Sequence, residues 1–264
     1  MHADTTPPFG ALLRQWRRAR RMSQEALAHD AEVSARHVSF LETGRSRPSR
    51  EMVLVLGSAL EVPLRDRNAL LAAAGHPPAY RETDLADPAL APVRQALDFL
   101  LARHEPFPAF VLDHCWRVLD HNRGAARIAA LLGQAIPDNA LVWTFDPAGL
   151  RPMIANWDRY ASELLRRVQR DAVEDAGAAA LLERLLAFGG APAGWRQARL
   201  QPPAPLVPLV LSLGDQRLTL FTTITTLGTP QDITLTDVRV ETIFPADAES
   251  AATLSSLLGA PESN

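Results

Sequence analysis

The run Asp113-His114-Cys115, with His121 a few residues later, contains residue types that bind transition metals. The surrounding apolar and β-branched residues predict a pair of strands joined by a turn. Adjacent residues of a strand point to opposite faces, so these side chains cannot all converge on one ion. The sequence therefore predicts no metal site.

No recognisable catalytic pattern accompanies these residues. The sequence contains no glycine-flanked serine elbow, no phosphate-cradling glycine loop and no HExxH helix. Cys115 is the single cysteine, which excludes an intrachain disulfide and a multi-cysteine metal site. We predict no catalytic residues and no cofactor, and a small-molecule-converting enzyme is the least favoured functional class.

Residues 22–44 predict two short helices across a tight corner. Ser23 is suited to cap the first helix and Ser34 the second. The second helix carries Val38 and Leu41 three apart on an inward face. Two short capped helices joined in this way make a helix-turn-helix candidate. Similar apolar spacing before and after the pair predicts three more helices, which gives a five-helix, all-α unit over residues 9–75.

Several short motifs in this unit fit one family pattern. They are Leu13 and Arg17, Ser23-Gln24-Glu25-Ala26-Leu27-Ala28, Val33-Ser34, and Phe40-Leu41-Glu42-Thr43-Gly44-Arg45. Together they resemble the XRE (Cro/phage-repressor-like) helix-turn-helix family. The resemblance implies a transcription regulator that binds double-stranded operator DNA, with the second helix of the pair in the major groove.

The resemblance also implies base-reading positions at the start of that helix. These positions are Ser34, Ala35, Arg36 and His37. Arg36 is the strongest candidate, because a guanidinium can donate two hydrogen bonds to O6 and N7 of guanine. Ala35 can contact only a thymine methyl. The alternative for each residue is a solvated helix face.

Phosphate contacts are implied for the residues that flank the two helices. They are Gln24, Arg45, Ser46 and Arg47. Arg17 and Glu42 match the family's internal ion pair, which would fix the first helix against the end of the reading helix. A surface ion pair is the alternative.

The charge distribution places the basic end of the chain at the helix pair. Residues 1–80 contain eleven arginines against eight acidic residues, about +3, and residues 81–264 contain sixteen against twenty-two, or −6. No apolar run reaches the length of a membrane span and no signal stretch is present. We expect a cytoplasmic, nucleoid-associated protein.

The rest of the chain predicts a multidomain arrangement. Residues 1–8 predict a disordered arm, residues 76–90 a proline-containing linker, residues 91–246 a second domain, and residues 247–264 a C-terminal helix and tail. Within the second domain the patterns predict two strands, then helices, then three β-branched strands. An antiparallel five-stranded sheet with helices on one face is a PAS-like α+β arrangement, which encloses a small apolar cavity.

Three segments of this domain have specific predictions. Residues 142–147 are predicted to form an aromatic loop and residues 150–173 a helix of unusual length. Residues 233–244 are predicted to form the last strand.

Further motifs resemble the more narrowly defined MmyB-like regulators. They are Val111-Leu112-Asp113 with Trp116 and Asn122, Phe145-Asp146-Pro147 with Asn156-Trp157, Trp195-Arg196, and Gly228-Thr229-Pro230. The resemblance implies that the second domain binds a fatty-acid-like, apolar small molecule.

Residues of this domain are candidates for lining a ligand pocket. The aromatic candidates are Trp143, Phe145, Trp157 and Phe221, and the polar candidates are Asn122, Asn156 and Thr223. Core packing is the alternative for each aromatic residue, and helix capping for Asn122. We expect a homodimer, because one short reading helix makes too few DNA contacts alone. The competing hypothesis makes the second domain only a dimerisation or protein-interaction module.

Overall fold

The computed structural model describes residues 8–173, 175–197 and 206–259, which form two compact units. The first unit comprises the chain up to Asp84 together with Thr229–Thr236. The second comprises Leu85–Gly228 and the chain from Asp237 onward. Residues 1–7 of the predicted arm and residues 260–264 of the predicted tail lie outside the described residues.

The first unit contains the five predicted helices. They are α1 (Phe9–Ala19), α2 (Gln24–Asp30), α3 (Ala35–Glu42), α4 (Arg50–Ala59) and α5 (Leu64–Ala73). Ser23, Ser34 and Ser49 cap α2, α3 and α4, each accepting a hydrogen bond at 3.0–3.1 Å from the backbone N–H three residues on. The helix-turn-helix prediction is confirmed at the level of the fold.

A single apolar core joins these five helices. Each helix contributes leucine, valine or aromatic side chains that are almost fully buried. The core residues include Leu13, Trp16, Leu27, Val38, Leu41, Val53, Leu56, Leu70 and Leu71. Because α2 and α3 contain only seven and eight residues, this shared core rather than helix propensity holds them in place.

After the first five helices the chain forms seven more α-helices, two short 3-10 helices (Pro88–Leu90 and Arg151–Met153) and five strands among the described residues. The helices are α6 (Ala91–Arg103), α7 (Arg123–Leu131), α8 (Ala140–Phe145), α9 (Trp157–Asp171), α10 (Ala176–Ala187), α11 (Ile233–Asp237) and α12 (Ala248–Leu258). The strands are β1 (Ala109–Leu112), β2 (Val118–His121), β3 (Leu209–Leu213), β4 (Gln216–Thr226) and β5 (Arg239–Pro245). None of the helices in the described ranges is long and apolar enough to cross a bilayer.

The five strands form one antiparallel sheet, as predicted, in the order β2-β1-β5-β4-β3. In the register of the central strands, Phe110 of β1 lies opposite Glu241 of β5, and Leu112 lies opposite Arg239. The side chains of directly opposed residues share a face of the sheet. Charged residues of β5 therefore lie on the same face as buried apolar residues of β1.

Helices cover both faces of this sheet, whereas the sequence predicted helices on one face. On the face that we call the helical face, Phe110 and Leu112 pack with residues of α8, α9 and α10. On the other face, α6 packs through Leu97 and Leu101 against alternate residues of β1 and β5. All four residues of β1 are buried, and a continuous apolar strand needs cover on both sides.

Two predictions between the strand pair and α10 are wrong. The predicted aromatic loop contains most of the short helix α8, which begins after Asn139 because that side chain accepts hydrogen bonds from the N–H groups of Leu141 and Val142. The predicted helix over residues 150–173 begins only at Trp157. Arg151–Met153 form only a short 3-10 helix. Ile154 and Ala155 are engaged by β3, where the N–H of Ala155 donates to the carbonyl of Val210 at 2.8 Å, so no α-helix continues through them.

The predicted last strand is also too long. Ile233 begins the short helix α11, and the strand β5 begins only at Arg239. The carboxylate of Asp232 caps the turn by accepting from the N–H of Thr234 at 3.0 Å, and it also accepts from the hydroxyl of Thr83 at 2.5 Å. A tertiary contact with a residue 149 positions away thus overrides the strand propensity of the β-branched run.

Gly10 allows α1 to approach α3 at backbone contact distance. A Cβ at residue 10 would lie 2.5 Å from the carbonyl oxygen of Leu41 and 2.7 Å from that of Glu42. We expect Gly10→Ala to destabilise the first unit by about 1–3 kcal/mol, because two backbones must separate to admit the methyl group. Urea unfolding followed by circular dichroism measures this.

Gly57→Ala is the matched control, since Gly57 also lies within a helix. Its added Cβ would meet only the flexible side chain of Arg67, at 3.2 Å. Removal of a helical glycine should then be neutral or stabilising by roughly 0.5–1 kcal/mol. Equal effects of the two substitutions would show that the α1–α3 approach is not tight.

Candidate functional site

The first turn of α3 presents the four predicted base-reading residues. Ser34 and Arg36 are exposed, whereas Ala35 and His37 are half-buried. The hydroxyl of Ser34 accepts a hydrogen bond from the N–H of His37 at 3.1 Å, which leaves the hydroxyl proton for another partner. Arg36 is therefore the exposed charged residue at a capped helix end.

Arginines on either side of Phe40 extend this surface. The guanidinium carbons of Arg36 and Arg45 lie 5.2 Å and 5.9 Å from the centre of the Phe40 ring. Arg47 is also exposed, and Ser46 is half-buried. The chain turns towards these residues through Gly44, whose φ of +74° is the left-handed conformation that ends α3.

The structure places Gln24 differently from the other predicted phosphate ligands. Its side-chain amide donates to Oε2 of Glu42 at 2.8 Å, so it points towards the interior ion pair. At the start of α2 the hydroxyl of Ser23 accepts from the N–H of Ala26, and the Gln24 side chain contributes no outward donor through this bond to Glu42. Sequence similarity alone could not separate these two uses of a glutamine amide.

Glu42 is the centre of a buried network that joins α1, α2 and α3. Arg17 donates from Nε to Oε1 at 2.6 Å and from Nη2 to Oε2 at 2.9 Å, and Arg14 donates to the Glu42 carbonyl at 3.1 Å. Arg17 also donates to the carbonyl of Met22, just before α2. The network fixes α3 relative to both α1 and α2.

The environment of Glu42 favours its ionised form. Burial opposes ionisation, but hydrogen bonds from Arg17 and Gln24 and the charges of Arg17 and Arg14 outweigh this effect. The pKa of Glu42 consequently lies below its ordinary value. The carboxylate side chain is only 1% exposed, so its loss would leave buried donors unpaired.

In the second unit, three of the predicted pocket aromatics lie on the helical face of the sheet. Phe145 is buried and meets the ring of Trp157 edge-on, with the ring centres 5.0 Å apart. Trp157 donates from its indole nitrogen to the carbonyl of Gly190, and Trp143 donates to Gln134. These indoles are held by hydrogen bonds and leave apolar surface towards the sheet.

Phe221 and Thr223 lie on the opposite face. Phe221 stacks on Phe244 at 5.4 Å, and His104 meets Phe244 edge-on at 4.6 Å. The hydroxyls of Thr223 and Thr242 share a hydrogen bond of 2.6 Å. Because alternate residues of a strand face opposite ways, the structure does not bring Phe221 and Thr223 together with the other predicted pocket residues.

The two asparagines among the predicted pocket residues are hydrogen-bonded to backbone groups. Asn122 caps α7 by accepting from the N–H of Ala125 at 2.9 Å, and it also accepts from the N–H of Ala109 at 3.0 Å. Asn156 accepts from the N–H of Val210 at 3.0 Å and donates to the carbonyl of Pro208 at 2.8 Å. Both amides position secondary structure elements and are not directed at a ligand.

The structure reveals a polar cluster that the sequence analysis missed. Glu241 and Arg239 of β5 face Tyr160, Arg167 and Asp171 of α9 in the region between sheet and helix. Desolvation raises the pKa of Tyr160 and of Glu241. Desolvation, together with the charge of Arg167, lowers the pKa of Arg239. The pattern Arg-Val-Glu in a strand signals charges on one face, but only the register of the sheet identifies that face as the helical one.

Trp116 lies at one end of this cluster between two arginines. The guanidinium carbon of Arg239 is 4.2 Å from the centre of the Trp116 ring, and that of Arg167 is 4.9 Å from it. The ring is 3% exposed. Cation–π attraction of this kind partly compensates for the desolvation of the two guanidinium groups.

The apolar side chains near the polar cluster are only partly buried, although they pack against the core. This set comprises Phe107, Ile128, Leu132, Trp143, Met153, Trp157, Tyr160, Leu213 and Ile243. Tyr160 and Glu241 likewise keep accessible surface, although desolvation dominates the shift of their pKa values.

The fold and these two sites define a class of protein: a helix-turn-helix unit joined to a separate domain of α+β architecture. Residues 8–70 match the model of a helix-turn-helix domain. Residues 93–257 match the model of the MmyB-like transcription regulator ligand binding domain. Because this second match covers more than half of the chain, the chain belongs to the MmyB-like family.

The N-terminal part is also similar to the uncharacterized HTH-type transcriptional regulator RghRB of Bacillus subtilis (strain 168). The two are 38% identical over 76 residues, which cover 28% of this chain and 52% of the relative. The chain thus matches about half the length of this relative. Both predicted resemblances, to helix-turn-helix regulators and to the MmyB-like family, are confirmed.

We expect Glu42→Gln to lower the free energy of unfolding of the first unit by about 3–5 kcal/mol at neutral pH, because Arg17 is left buried beside a neutral group. Urea unfolding measures the loss. Arg18→Ala is the control, since Arg18 lies on the exposed side of α1 and its replacement should change stability by less than about 0.5 kcal/mol.

The stability difference between wild type and Glu42→Gln should depend on pH. Because the pKa of Glu42 is lower in the folded protein, the ionised carboxylate stabilises the fold at pH values above its ordinary pKa, near 4.5. This stabilisation is lost as the pH falls through the folded-state pKa. The stability difference between wild type and Glu42→Gln should therefore shrink on acidification below that value. A difference that stays constant would contradict the ionised, paired state of Glu42.

Proposed function

We propose that the chain is a sequence-specific, DNA-binding transcription regulator whose second domain senses an apolar, fatty-acid-like small molecule. Residues 9–75 would bind DNA, residues 91–246 would form the PAS-like ligand-binding domain, and residues 76–90 would link them. The observation that carries the DNA-binding part is the capped first turn of α3, which presents exposed Arg36 on a helix fixed by the buried Glu42 network.

In the proposed complex the N-terminal turn of α3 enters the major groove. Arg36 would donate to O6 and N7 of a guanine, and Ala35 would contact a thymine methyl. Arg45 and Arg47 would neutralise backbone phosphates, since both are exposed just after α3. The phosphate role proposed for Gln24 passes to the backbone N–H groups at the start of α2, because the side chain is engaged by Glu42.

A reading helix of eight residues spans only a few base pairs. Two copies related by a two-fold axis would read two half-sites about one helical turn apart, which supports a homodimer on a pseudo-palindromic operator. Size-exclusion chromatography with light scattering tests the stoichiometry.

We expect Arg36→Ala to remove preference for the operator while general DNA binding persists. The loss should be about 1–3 kcal/mol of discrimination, because a bidentate contact to one base is removed. Arg47→Ala should instead weaken binding to all sequences and reduce the salt slope by about one, because a phosphate contact is lost. Fluorescence anisotropy with selected and scrambled DNA fragments at two salt concentrations measures both effects.

Arg18→Ala is the control here as well, because Arg18 has the same charge but lies on α1. If Arg36→Ala still prefers the operator over scrambled DNA, Arg36 does not read a base, and His37 or Ser34 becomes the candidate. Equal salt slopes for Arg47→Ala and wild type would remove Arg47 from the phosphate contacts.

The ligand proposal rests on the helical face of the sheet. Partly buried apolar side chains lie there on the same face as the polar group of Tyr160, Glu241 and Arg239. An amphiphile with a long apolar tail and a small polar head would fit this division. The hydroxyl of Tyr160 and the guanidinium of Arg239 are hydrogen-bond donors that suit the oxygens of a carboxylate head group.

We expect Ile243→Trp to block binding of a long-chain fatty acid and Thr223→Trp to leave it intact. Both substitutions introduce the same indole into the sheet, but Ile243 packs on the helical face and Thr223 lies on the other. Titration of delipidated protein with a fluorescent long-chain fatty acid measures binding, and circular dichroism checks the fold of each variant.

The reverse result would locate the ligand on the α6 face, where Phe221 and Thr223 lie. Native mass spectrometry of freshly purified protein provides a second readout, because a co-purifying lipid is expected only if the domain binds one. No bound mass and no titratable site would favour the alternative, in which the second domain is solely a dimerisation or protein-interaction module.

Ligand binding would regulate transcription only if the ligand has different affinities for the operator-binding and non-binding states. The proposal therefore requires a change of operator affinity at saturating ligand. Equal affinities with and without ligand would contradict sensing even if binding itself is found.

A further inference from the structure

The turn between β1 and β2 brings together metal-binding side chains that the strand prediction had separated. His114 and Cys115 lie in this turn, since β1 ends at Leu112 and β2 begins at Val118. The rule that neighbouring side chains point to opposite faces applies within strands and does not hold here. His121, which lies in β2 and pairs with Phe110, is not part of the group.

Asp175 completes the group from a distant part of the chain. Its Oδ2 lies 3.6 Å from Nε2 of His114, and its Oδ1 lies 3.9 Å from Sγ of Cys115. One ligand atom from each of the three residues lies within 4.8 Å of the other two. Tetrahedral zinc, with bonds of about 2.0–2.3 Å, needs ligand atoms that are roughly 3.3–3.8 Å apart, so small side-chain movements suffice.

A second carboxylate lies beside the other nitrogen of the imidazole. Oδ2 of Asp237 lies 3.1 Å from Nδ1 of His114, on the side of the ring away from Asp175. A small rotation of the ring would direct Nδ1–H at this carboxylate and leave the lone pair of Nε2 for a metal ion, which is the usual outer-shell arrangement of histidine ligands. The carbonyl of His114 also accepts from Nη2 of Arg239 at 3.2 Å, which holds the turn in place.

The positions of Cys115 and Gly177 provide a further observation. Asp113 accepts from the N–H of Cys115 at 2.8 Å and fixes the turn. A Cβ at residue 177 would lie 2.7 Å from the Cys115 sulfur, so glycine at that position leaves room for the thiol beside Asp175. The β1–β2 turn and the first turn of α10, which are far apart in sequence, thus both lie against one sulfur atom.

We propose that His114 Nε2, Cys115 Sγ and Asp175 Oδ2 bind one divalent transition-metal ion, with Zn²⁺ the best match. Imidazole, thiolate and carboxylate are the three zinc ligand types, and the thiolate disfavours Mg²⁺ and Ca²⁺. Thiolate and carboxylate together balance the charge of the ion. His114, Cys115 and Asp175 are half-buried, so the ion can enter and a water molecule can fill the fourth position.

Such an ion would connect the β1–β2 turn to the start of α10 in the second unit. Asp175 already caps α10 by accepting from the N–H of Ala178 at 2.5 Å. Trp116, which packs between Arg167 and Arg239, immediately follows the ligand Cys115. The metal would therefore stabilise the end of the polar cluster, independently of whether a fatty acid binds.

Cobalt spectroscopy on the full chain tests the proposal. Chelator-treated, reduced protein is titrated with Co²⁺ and then with Zn²⁺. Because Cys115 is the single cysteine, a thiolate-to-cobalt charge-transfer band can arise only from this residue. We expect one Co²⁺ per chain, a thiolate band, and displacement by Zn²⁺.

Variants assign the ligands. Cys115→Ala should abolish the thiolate band. Asp175→Asn retains an oxygen that can cap α10, but it should weaken Zn²⁺ binding at least as much as Asp237→Asn does, because Asp175 is a proposed ligand and Asp237 is not. Asp237→Asn acts through His114 and should weaken it by about 10–100-fold. His121→Ala, the matched histidine control in β2, should bind as wild type does.

Three results would overturn the proposal. One is the absence of a thiolate band in wild type at saturating Co²⁺. Another is an unchanged Zn²⁺ affinity in Cys115→Ala and Asp175→Asn, each shown by circular dichroism to be folded. The third is loss of binding in His121→Ala alone, which would place the ion elsewhere.

Discussion

The buried carboxylate of Glu42 is the constraint on which the geometry of the first unit depends. It lies at the C-terminal end of the proposed reading helix and receives donors from α1 and from the start of α2. Removal of two charges from water is costly, so the network contributes little net stability, but any departure from its geometry leaves a charge unpaired. Short helices with little intrinsic stability are thereby held at one fixed angle.

The close approach of α1 to α3 belongs to the same arrangement. Gly10 lets the backbones meet at the last turn of α3, directly beside the carboxylate. Backbone contact and ion pair therefore act on one helix end, while the other end begins at the Ser34 cap and packs through Ala35 and Val38 against the shared core. The exposed side of the first turn is thus presented on a helix that is held at both ends.

Local patterns predicted the first unit well, because its signals are local. Serine caps, an apolar stripe and a closing glycine lie within one turn of the structure that they specify, and Ser23, Ser34 and Gly44 act as expected. The exception is Gln24, whose direction is set by Glu42, eighteen residues away. Its amide suits a phosphate or a carboxylate equally well, and only the folded structure separates the two.

The second unit was predicted well in its sheet, but the structure distributes the predicted pocket residues over both faces, for a physical reason. β-Branched runs predict strands, but the register of the sheet decides which residues face α8, α9 and α10. A shift of one residue moves every side chain to the other face. Phe221 and Thr223 were consequently grouped with aromatics on the other side of the sheet, while Arg239 and Glu241, the charges that do face α9, were missed.

The turn at His114 and Cys115 also shows that local sequence patterns do not predict which residues the fold brings together. Strand alternation correctly keeps His121 apart but wrongly separates two residues that lie in a turn, and no local pattern indicates Asp175, sixty residues further on.

Buried charges in this unit occur in partnered sets: Arg167 and Arg239 against Trp116, and His114 between Asp175 and Asp237. Each set joins the region around β1 to elements distant in sequence, since a desolvated charge is tolerated only where the fold supplies its partner. Sequence patterns therefore cannot predict the role of a polar residue in this domain when its partners come from other strands and helices.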